Sequence, residues 1–112
     1  MTISTHVLDA SRGVPAAGIS VTLSRLEVRW LDVESGVTDA GGRHRFLAEA
    51  PAGTYCLTFA TGAYFAARAV RTFYPEVAIT FTIAQPEDGT QPGHSHVPLL
   101  LSPFAYSTYR GS

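Results

Sequence analysis

The sequence predicts an all-β protein, a Greek-key β-sandwich of about eight strands with one short helix. Apolar and polar residues alternate with a period of two in several short segments, which is typical of strands with one buried face. Gly, Pro and Asp clusters separate these segments, and such residues favour tight turns. Many short strands divided by turns, with little helix, indicate two sheets packed face to face.

The alternation places the strands. It is clearest over residues 19–24, 54–59 and 77–84, and weaker over residues 5–8 and 28–33. In the three clear strands the residues predicted to face the core are Ile19, Val21, Leu23, Tyr55, Leu57, Phe59, Val77, Ile79, Phe81 and Ile83. The single cysteine, Cys56, falls on the alternate face of its strand and is predicted to be a small packing residue.

Three other segments complete the prediction. Residues 97–101 are continuously apolar, so this strand is expected to be buried on both faces, by the core on one side and a partner on the other. Residues 105–109 follow as a last strand. Residues 62–70 are rich in alanine and predict the helix, with Thr61 as its N-cap. Turns are expected at residues 11–15, 39–42 and 51–53, with a polar loop over residues 86–93.

Composition limits the class of protein. A chain of 112 residues with 46% hydrophobic residues predicts one globular domain, residues 1–112. Its formal net charge of −1, without a basic stripe, argues against a nucleic-acid partner. No apolar run approaches the roughly 18 residues that span a bilayer, so no membrane partner is expected. One cysteine allows no intramolecular disulfide and suits the cytoplasm; the periplasm is the alternative if a signal peptide was removed.

Histidines are the first candidates for chemistry. His6 lies in a short apolar strand and His96 begins the apolar strand near the chain end, and either one fits a structural or a catalytic role. His94, in a loop, and His44, between two arginines, are both predicted to face solvent. His94 and His96 alternate, but no third or fourth ligand accompanies them, so no metal site is predicted.

The basic residues are all arginines, since the sequence contains no lysine. This excludes Schiff-base chemistry by a lysine of this chain. Arg43 directly follows a Gly-Gly turn, which would present its guanidinium at the start of a strand. Arg45 lies two residues later on the same face, and spacing alone does not choose between them.

One set of motifs covers nearly the whole chain and carries a family resemblance. The motifs are Ser4-Thr5-His6-Val7-Leu8-Asp9, Gly13-Val14-Pro15-Ala16, Thr38-Asp39-Ala40-Gly41-Gly42-Arg43, Gly53-Thr54-Tyr55, Tyr64-Phe65, Phe73-Tyr74-Pro75-Glu76-Val77, His96-Val97-Pro98-Leu99-Leu100-Leu101-Ser102-Pro103 and Tyr106-Ser107-Thr108-Tyr109-Arg110-Gly111-Ser112. Together they resemble the transthyretin-like 5-hydroxyisourate hydrolases of purine catabolism. Transthyretins share the Leu-Leu-Ser-Pro and Tyr-Ser-Thr portions but lack the histidines and the Tyr-Arg-Gly-Ser ending.

The resemblance implies an enzyme that needs no metal or other cofactor. Its substrate would be 5-hydroxyisourate, whose ring amide water opens to 2-oxo-4-hydroxy-4-carboxy-5-ureidoimidazoline during urate degradation to allantoin. The protein would be a homotetramer, a dimer of dimers, with sites where the dimers meet. The resemblance assigns catalysis to His6, Arg43, His96 and Ser112, and substrate binding to His6, Arg43, Tyr109, Arg110 and Gly111.

The chemistry of these residues suits the reaction. His6 or His96 would take the proton from water while the other relays it to the leaving nitrogen. Arg43 would bind the substrate oxygens and stabilise the oxyanion. Ser112 would orient a histidine or the water, and Tyr109 would hold the ring. The family's turn usually reads Asp-Gly-Arg, and here Gly41 precedes Gly42. The following His44-Arg45-Phe46 is also unusual, so Arg45 competes for the arginine role, although Arg43 matches by its position after the glycine.

Two other functions remain open from the sequence. A transthyretin-like tetramer with an apolar channel could carry a small aromatic hormone instead of hydrolysing a substrate. Hydrophobic channel residues would then be expected where this chain has His6 and His96. A purely structural β-sandwich is the third possibility, but it leaves the terminal Tyr-Arg-Gly-Ser motif unexplained.

Overall fold

Two β-sheets packed face to face form the molecule, as seen in a computed structural model that describes residues 2–90 and 93–112. Gln91 and Pro92, part of the predicted polar loop, lie outside the described residues. Within the described part the chain forms nine strands and one helix: β1 (Ile3–Asp9), β2 (Val14–Pro15), β3 (Ser20–Leu26), β4 (Trp30–Val37), β5 (Arg43–Arg45), β6 (Gly53–Phe59), α1 (Thr61–Ala66), β7 (Val77–Ile83), β8 (Ser95–Ser102) and β9 (Ala105–Thr108).

The first sheet contains both the first strand, β1, and the last strand, β9. Its order is β2-β1-β8-β9, and the three-residue β5 pairs with the same edge of β1 as β2 does, further towards the start of the strand. Strands β1 and β8 run parallel, whereas the other pairs are antiparallel. The second sheet is antiparallel throughout, with the order β4-β3-β6-β7. The predicted all-β Greek-key sandwich is confirmed, with nine strands instead of about eight because β2 and β5 are very short.

The core lies between the sheets and follows the predicted alternation. Of the ten residues predicted to face it, nine are buried, and Phe81 is half-buried and stacks on Tyr55 at a ring-centroid distance of 6.0 Å. In β8 the inward residues Val97, Leu99 and Leu101 are buried. Burial of these side chains is the main source of stability in a domain of this size.

Both predicted ends of the helix are wrong. The helix ends at Ala66 instead of Val70, because the chain enters the left-handed region at Ala69 (φ 56°) and closes the helix with bonds from the N–H groups of Ala69 and Val70 to the carbonyls of Ala66 and Phe65, a Schellman motif. Thr61 is not the N-cap; that position is Ala60, and Thr61 is a buried helix residue.

The fourth strand is also displaced from its prediction, since it covers Trp30–Val37 where residues 28–33 were expected. It forms an outer strand of the second sheet, and most of its residues are exposed. Because β4 pairs only with β3 and is mostly exposed, its apolar residues do not alternate regularly, and the alternation therefore marks its ends poorly. In the described part of the chain, no helix has the length and apolar character to cross a bilayer.

Candidate active site

The pairing of the first sheet lines up polar residues on its outward face. Cα partners in neighbouring strands point to the same face. Arg45, Ser4, His96 and Gly111 pair successively across β5, β1, β8 and the chain end. The next row joins Arg43 of β5, His6 of β1 and Pro98 of β8. Residues from four separate parts of the sequence therefore meet on one surface.

A fixed turn delivers Arg43 to this surface. Gly42 has φ 76°, its carbonyl accepts the N–H of Val7 at 2.8 Å, and a Cβ there would lie 2.4 Å from the Val7 carbonyl oxygen. The position therefore requires glycine. The Asp39 carboxylate accepts the N–H groups of Gly41 at 2.9 Å and Arg43 at 3.0 Å. Gly41 stands where the usual Asp-Gly-Arg turn has its aspartate, and its N–H is one of the two that Asp39 accepts.

The Asp39 carboxylate also interacts with the charges of the site. The sequence alone does not reveal this role of Asp39. The N–H of Arg43 lowers the pKa of this carboxyl most strongly, and the charges of Arg43 and His6 lower it further. An aspartate near the Gly-Gly turn was visible in the sequence. Its distance from His6, however, depends on the pairing of β5 with β1.

His96 is half-buried between β1 and the chain end. Its Nδ1 lies 2.8 Å from Ser4 Oγ, and its carbonyl accepts the N–H of Gly111 at 2.9 Å. A Cβ at Gly111 would lie 2.5 Å from Cδ2 of the His96 ring, so the chain end packs closely on this ring. Burial lowers the pKa of His96, and the charges of His6, His94 and Arg43 lower it further. The ring is thus neutral near pH 7 and able to accept a proton.

Ser4 is a second residue of the site that the sequence alone does not reveal. Besides His96, its hydroxyl lies 2.7 Å from Nε2 of His94, an exposed residue, as predicted. The two imidazole rings stack with centroids 6.5 Å apart and planes inclined by 21°. Ser4 precedes His6 by two residues, so alternation alone puts both on one face. Only the β1–β8 register identifies its neighbour as His96.

The terminal residues are placed in two groups. Gly111 adjoins His96, and the exposed Ser112 directly follows that pairing. Arg110 lines cavities bordered by β7 and the loop after it, including one of about 260 Å³ shared with Tyr109 and His96. Arg110 does not line the cavity beside Arg43.

The cavity beside Arg43, of about 240 Å³, is bordered by both arginines and by His96. It is lined by Ser4, Thr5, Asp39, Arg43, His44, Arg45 and His96. Of the two arginines, Arg43 is the one whose charge lowers the pKa of His96. Among residues 2–90 and 93–112, no three His, Cys, Asp or Glu side chains are arranged as metal ligands; independence from metal stays a prediction.

His44 is not solvent-facing, contrary to the prediction. It pairs with Thr5, an inward residue of β1, so alternation turns its side chain away from Arg43 and Arg45. The half-buried ring meets Phe46 edge to face at 4.6 Å, and a Cβ at Gly36 would lie 2.1 Å from it. His44 is a packing residue on the inner side of the sheet.

The fold, with its two sheets and its polar outward face, defines the transthyretin-like class of β-sandwich proteins. The chain belongs to the HIUase/Transthyretin family, which it matches over residues 3–111. A mouse protein named 5-hydroxyisourate hydrolase is 41% identical over 116 residues, covering 98% of this chain and 94% of the mouse protein. The predicted family is confirmed.

Two solved structures have folds similar to that of this chain. The 5-hydroxyisourate hydrolase of Klebsiella pneumoniae matches with a TM-score of 0.85, 43% identity and complete coverage of both chains. Sea bream transthyretin in complex with thyroxine also has a TM-score of 0.85, at 32% identity, covering 97% of this chain and 93% of its own. The fold is therefore equally close to a protein named as a hydrolase and to a transthyretin that holds thyroxine, and the side chains of the site must distinguish them.

Proposed function

We propose that this protein hydrolyses 5-hydroxyisourate to 2-oxo-4-hydroxy-4-carboxy-5-ureidoimidazoline. The observation that carries the proposal is the outward face of the first sheet, where His6, His96 and Arg43 lie in adjacent rows. Burial there lowers the pKa of His96. Opening a ring amide needs a base for water, a donor for the carbonyl oxygen and a proton for the leaving nitrogen. These three side chains supply all of them.

His96 is the base in this proposal. Its lowered pKa keeps Nε2 or Nδ1 unprotonated at neutral pH, so it takes a proton from water as the water oxygen bonds to the ring carbonyl carbon. Positioned acid–base help of this kind contributes about 10²–10⁴-fold. His6, one row away on the neighbouring strand, returns a proton to the nitrogen as the C–N bond breaks.

Arg43 binds the oxygens. Its forked donors match two substrate oxygens and stabilise the negative charge that develops on the carbonyl oxygen. The turn over Asp39 and Gly42 fixes the backbone from which the guanidinium extends, and this preorganisation lowers the cost of reaching the transition state. Arg43 is preferred to Arg45 because its row contains His6 and its charge acts on His96.

The chain end forms one wall of the proposed site. Gly111 packs on the His96 ring and leaves room for no side chain. Ser112 follows it, and its hydroxyl orients the water or a histidine. Tyr109, 59% exposed, holds the substrate ring, and Arg110 contributes charge at the edge.

The assembly proposed for this function is a homotetramer, a dimer of dimers. Its support is the shape of the site, which is an open sheet face with a small cavity instead of a deep cleft. Half-buried Leu8 and Leu100 share that face, and a second copy would exclude water there. Light scattering should give four times the mass of the chain. The cytoplasmic location stays a prediction.

The alternative function is a carrier of a small aromatic ligand, because the sea bream transthyretin named with thyroxine has the same fold. The polar face argues against it, since His6, His96 and Arg43 would each lose water on binding an apolar ring. Binding of thyroxine by the wild-type protein, without consumption of 5-hydroxyisourate, would favour the carrier.

The deciding experiment follows the ultraviolet absorbance of freshly generated 5-hydroxyisourate. The wild-type protein should accelerate its loss well above the spontaneous rate, and His96→Ala should lower kcat by about 10²–10⁴-fold. Ser35→Ala is a matched surface control, since Ser35 lies in the other sheet and bonds Thr22. Wild-type turnover in His96→Ala would refute the catalytic assignment, and no turnover by the wild-type protein would refute the function.

A further inference from the structure

A chain of hydrogen-bonded side chains connects His96 to the surface. Ser4 Oγ lies 2.8 Å from His96 Nδ1 and 2.7 Å from His94 Nε2. The other ring nitrogen of His94, Nδ1, is hydrogen-bonded to Thr2 Oγ1. His96 is half-buried and His94 is exposed, so the chain runs from the site to solvent.

The number of available protons restricts which group donates and which accepts in each of these hydrogen bonds. A hydroxyl has one proton, so Ser4 can donate to only one of the two imidazoles, and when it does so it accepts from the other. If Ser4 donates to His94, it accepts Nδ1–H of His96, and Nε2 of His96 is an unprotonated base. Neutral His94 then carries its proton on Nδ1 and donates it to Thr2. If every bond is reversed, His96 instead carries its proton on Nε2, and that nitrogen can donate a hydrogen bond but cannot take a proton from water.

We propose that Ser4 and His94 are positioning residues that set the tautomer of His96 and carry its proton to and from the surface. The inference rests on the proposed function for its catalytic part, because His96 must be the base. It adds two residues and a direction of proton movement to that function.

The proton movements balance at each step. When water loses a proton to Nε2 of His96, the Nδ1 proton of His96 passes to Ser4 Oγ and the hydroxyl proton of Ser4 passes to His94 Nε2. Hydroxide is delivered to the substrate carbonyl, His96 stays neutral, and the positive charge moves to exposed His94. When His6 has protonated the leaving nitrogen, it regains a proton from Nε2 of His96; the transfers through Ser4 and His94 then reverse and restore the starting state.

The surroundings favour moving the charge outward. His96 is faced by His6 from β1 and by Arg43 from β5, both of which oppose a positive charge on its ring. His94, at the exposed end of the chain, can share a positive charge with water. A base wired in this way takes a proton without holding an imidazolium beside Arg43.

The first test needs no substrate. ¹⁵N spectra of the histidine rings distinguish the two tautomers. In the wild-type protein, neutral His96 should be protonated at Nδ1, because Ser4 accepts that proton. In Ser4→Ala the signal should move to the Nε2-protonated form, and Ser4→Thr, which keeps the hydroxyl, should restore the wild-type form. Identical tautomers in wild type and Ser4→Ala would overturn the proposal.

The second test is kinetic. Ser4→Ala and His94→Gln should each lower kcat on the order of 10- to 100-fold with KM little changed, as for other partners that orient a working histidine. Ser4→Thr should recover most of kcat, and Ser35→Ala should match the wild type. If His94→Gln keeps wild-type kcat, the proton relay is wrong. If the wild-type protein does not hydrolyse 5-hydroxyisourate, the proposed function fails, whereas the tautomer test still decides the wiring.

Discussion

Strand β1 carries polar groups at both ends, and the two ends differ in how they are satisfied. At its start, Ser4 and His6 face outward beside half-buried His96. At its end, Asp9 faces inward and is 1% exposed. Its carboxylate accepts hydrogen bonds from Ser11 Oγ at 2.6 Å, from the N–H groups of Ser11 and Arg12, and from the Tyr64 hydroxyl at 2.8 Å.

The difference separates a structural network from a functional one. Burial raises the pKa of Asp9, but the hydrogen bonds from Ser11 and Tyr64 outweigh it, so the net pKa is lowered and the charge is fixed. Each of the groups around Asp9 can only donate to its carboxylate, because an ionised carboxylate has no proton to give. The Ser4, His94 and His96 chain can be wired in two directions, since each member both donates and accepts. A network with one arrangement stabilises the fold, and a network with two can move a proton.

After His96→Ala, the largest expected effect is at Arg43. Arg43→Ala removes the donors for the developing oxyanion and should lower kcat about 10²–10³-fold. Arg45→Ala, the same change two residues away, is expected to stay within about threefold because its row does not contain His6. Initial rates of 5-hydroxyisourate loss compare the two variants. A larger loss in Arg45→Ala would transfer the role to Arg45.

Gly111→Ala should follow in size. The added Cβ would lie 2.5 Å from the His96 ring and 3.1 Å from Pro98 Cγ, so the ring or the chain end must move. Displacement of a catalytic group by an ångström costs about 10²-fold in rate. Gly93→Ala, where nothing lies within 4 Å, is the control. Thermal unfolding of both variants would show whether the loss is local; wild-type turnover in Gly111→Ala would argue against a wall at the chain end.

At the other end of β1 the effect should appear in stability instead. Tyr64→Phe removes one donor from a buried carboxylate and should lower the free energy of unfolding by about 1–3 kcal/mol. Turnover should be unchanged, because Tyr64 lies in the core beside Asp9. Urea unfolding measures the loss, with Tyr106→Phe on exposed β9 as the control. A drop in kcat without a drop in stability would contradict the division between the two ends.

The smallest effect is a pH dependence of that loss. The folded pKa of Asp9 lies below its ordinary value of 3.8, so its stabilisation is present above about pH 4 and is lost as pH falls through the folded pKa. Removing the Tyr64 donor weakens this stabilisation. The difference in unfolding free energy between wild type and Tyr64→Phe should therefore shrink below pH 4. If the difference in unfolding free energy stayed constant down to low pH, the stability lost in Tyr64→Phe would come from packing and not from the hydrogen bond to Asp9.

Predictability also differed along the chain. The alternation of residues 19–24 and 54–59 placed β3 and β6 and their inward faces, because each is flanked on both sides in its sheet and buried on one face. The helix end was missed because a left-handed alanine, Ala69, is not visible in a propensity pattern. His44 was misplaced because its face depends on which strand β5 joins.

For the site, the sequence supplied the residue types and the family resemblance. His6, Arg43 and His96 were named from their motifs, and the structure places them on one face; their catalytic roles stay proposals. Ser4 and Asp39 were missed, since each acts through a neighbour from a distant segment. A serine two residues before a histidine has no distinctive signal until the opposite strand is known.

The sequence by itself determined the period of the strands, the positions of the turns and the family, because these depend on residues close together in the chain or on motifs. Only the tertiary structure decided the register, with Ser4 opposite His96 and His6 opposite Arg43. Register is set by which inward side chains fill the core together, and a shift of one residue would turn every polar group of the site inward. The site is thus a product of packing on the other face of the same sheet.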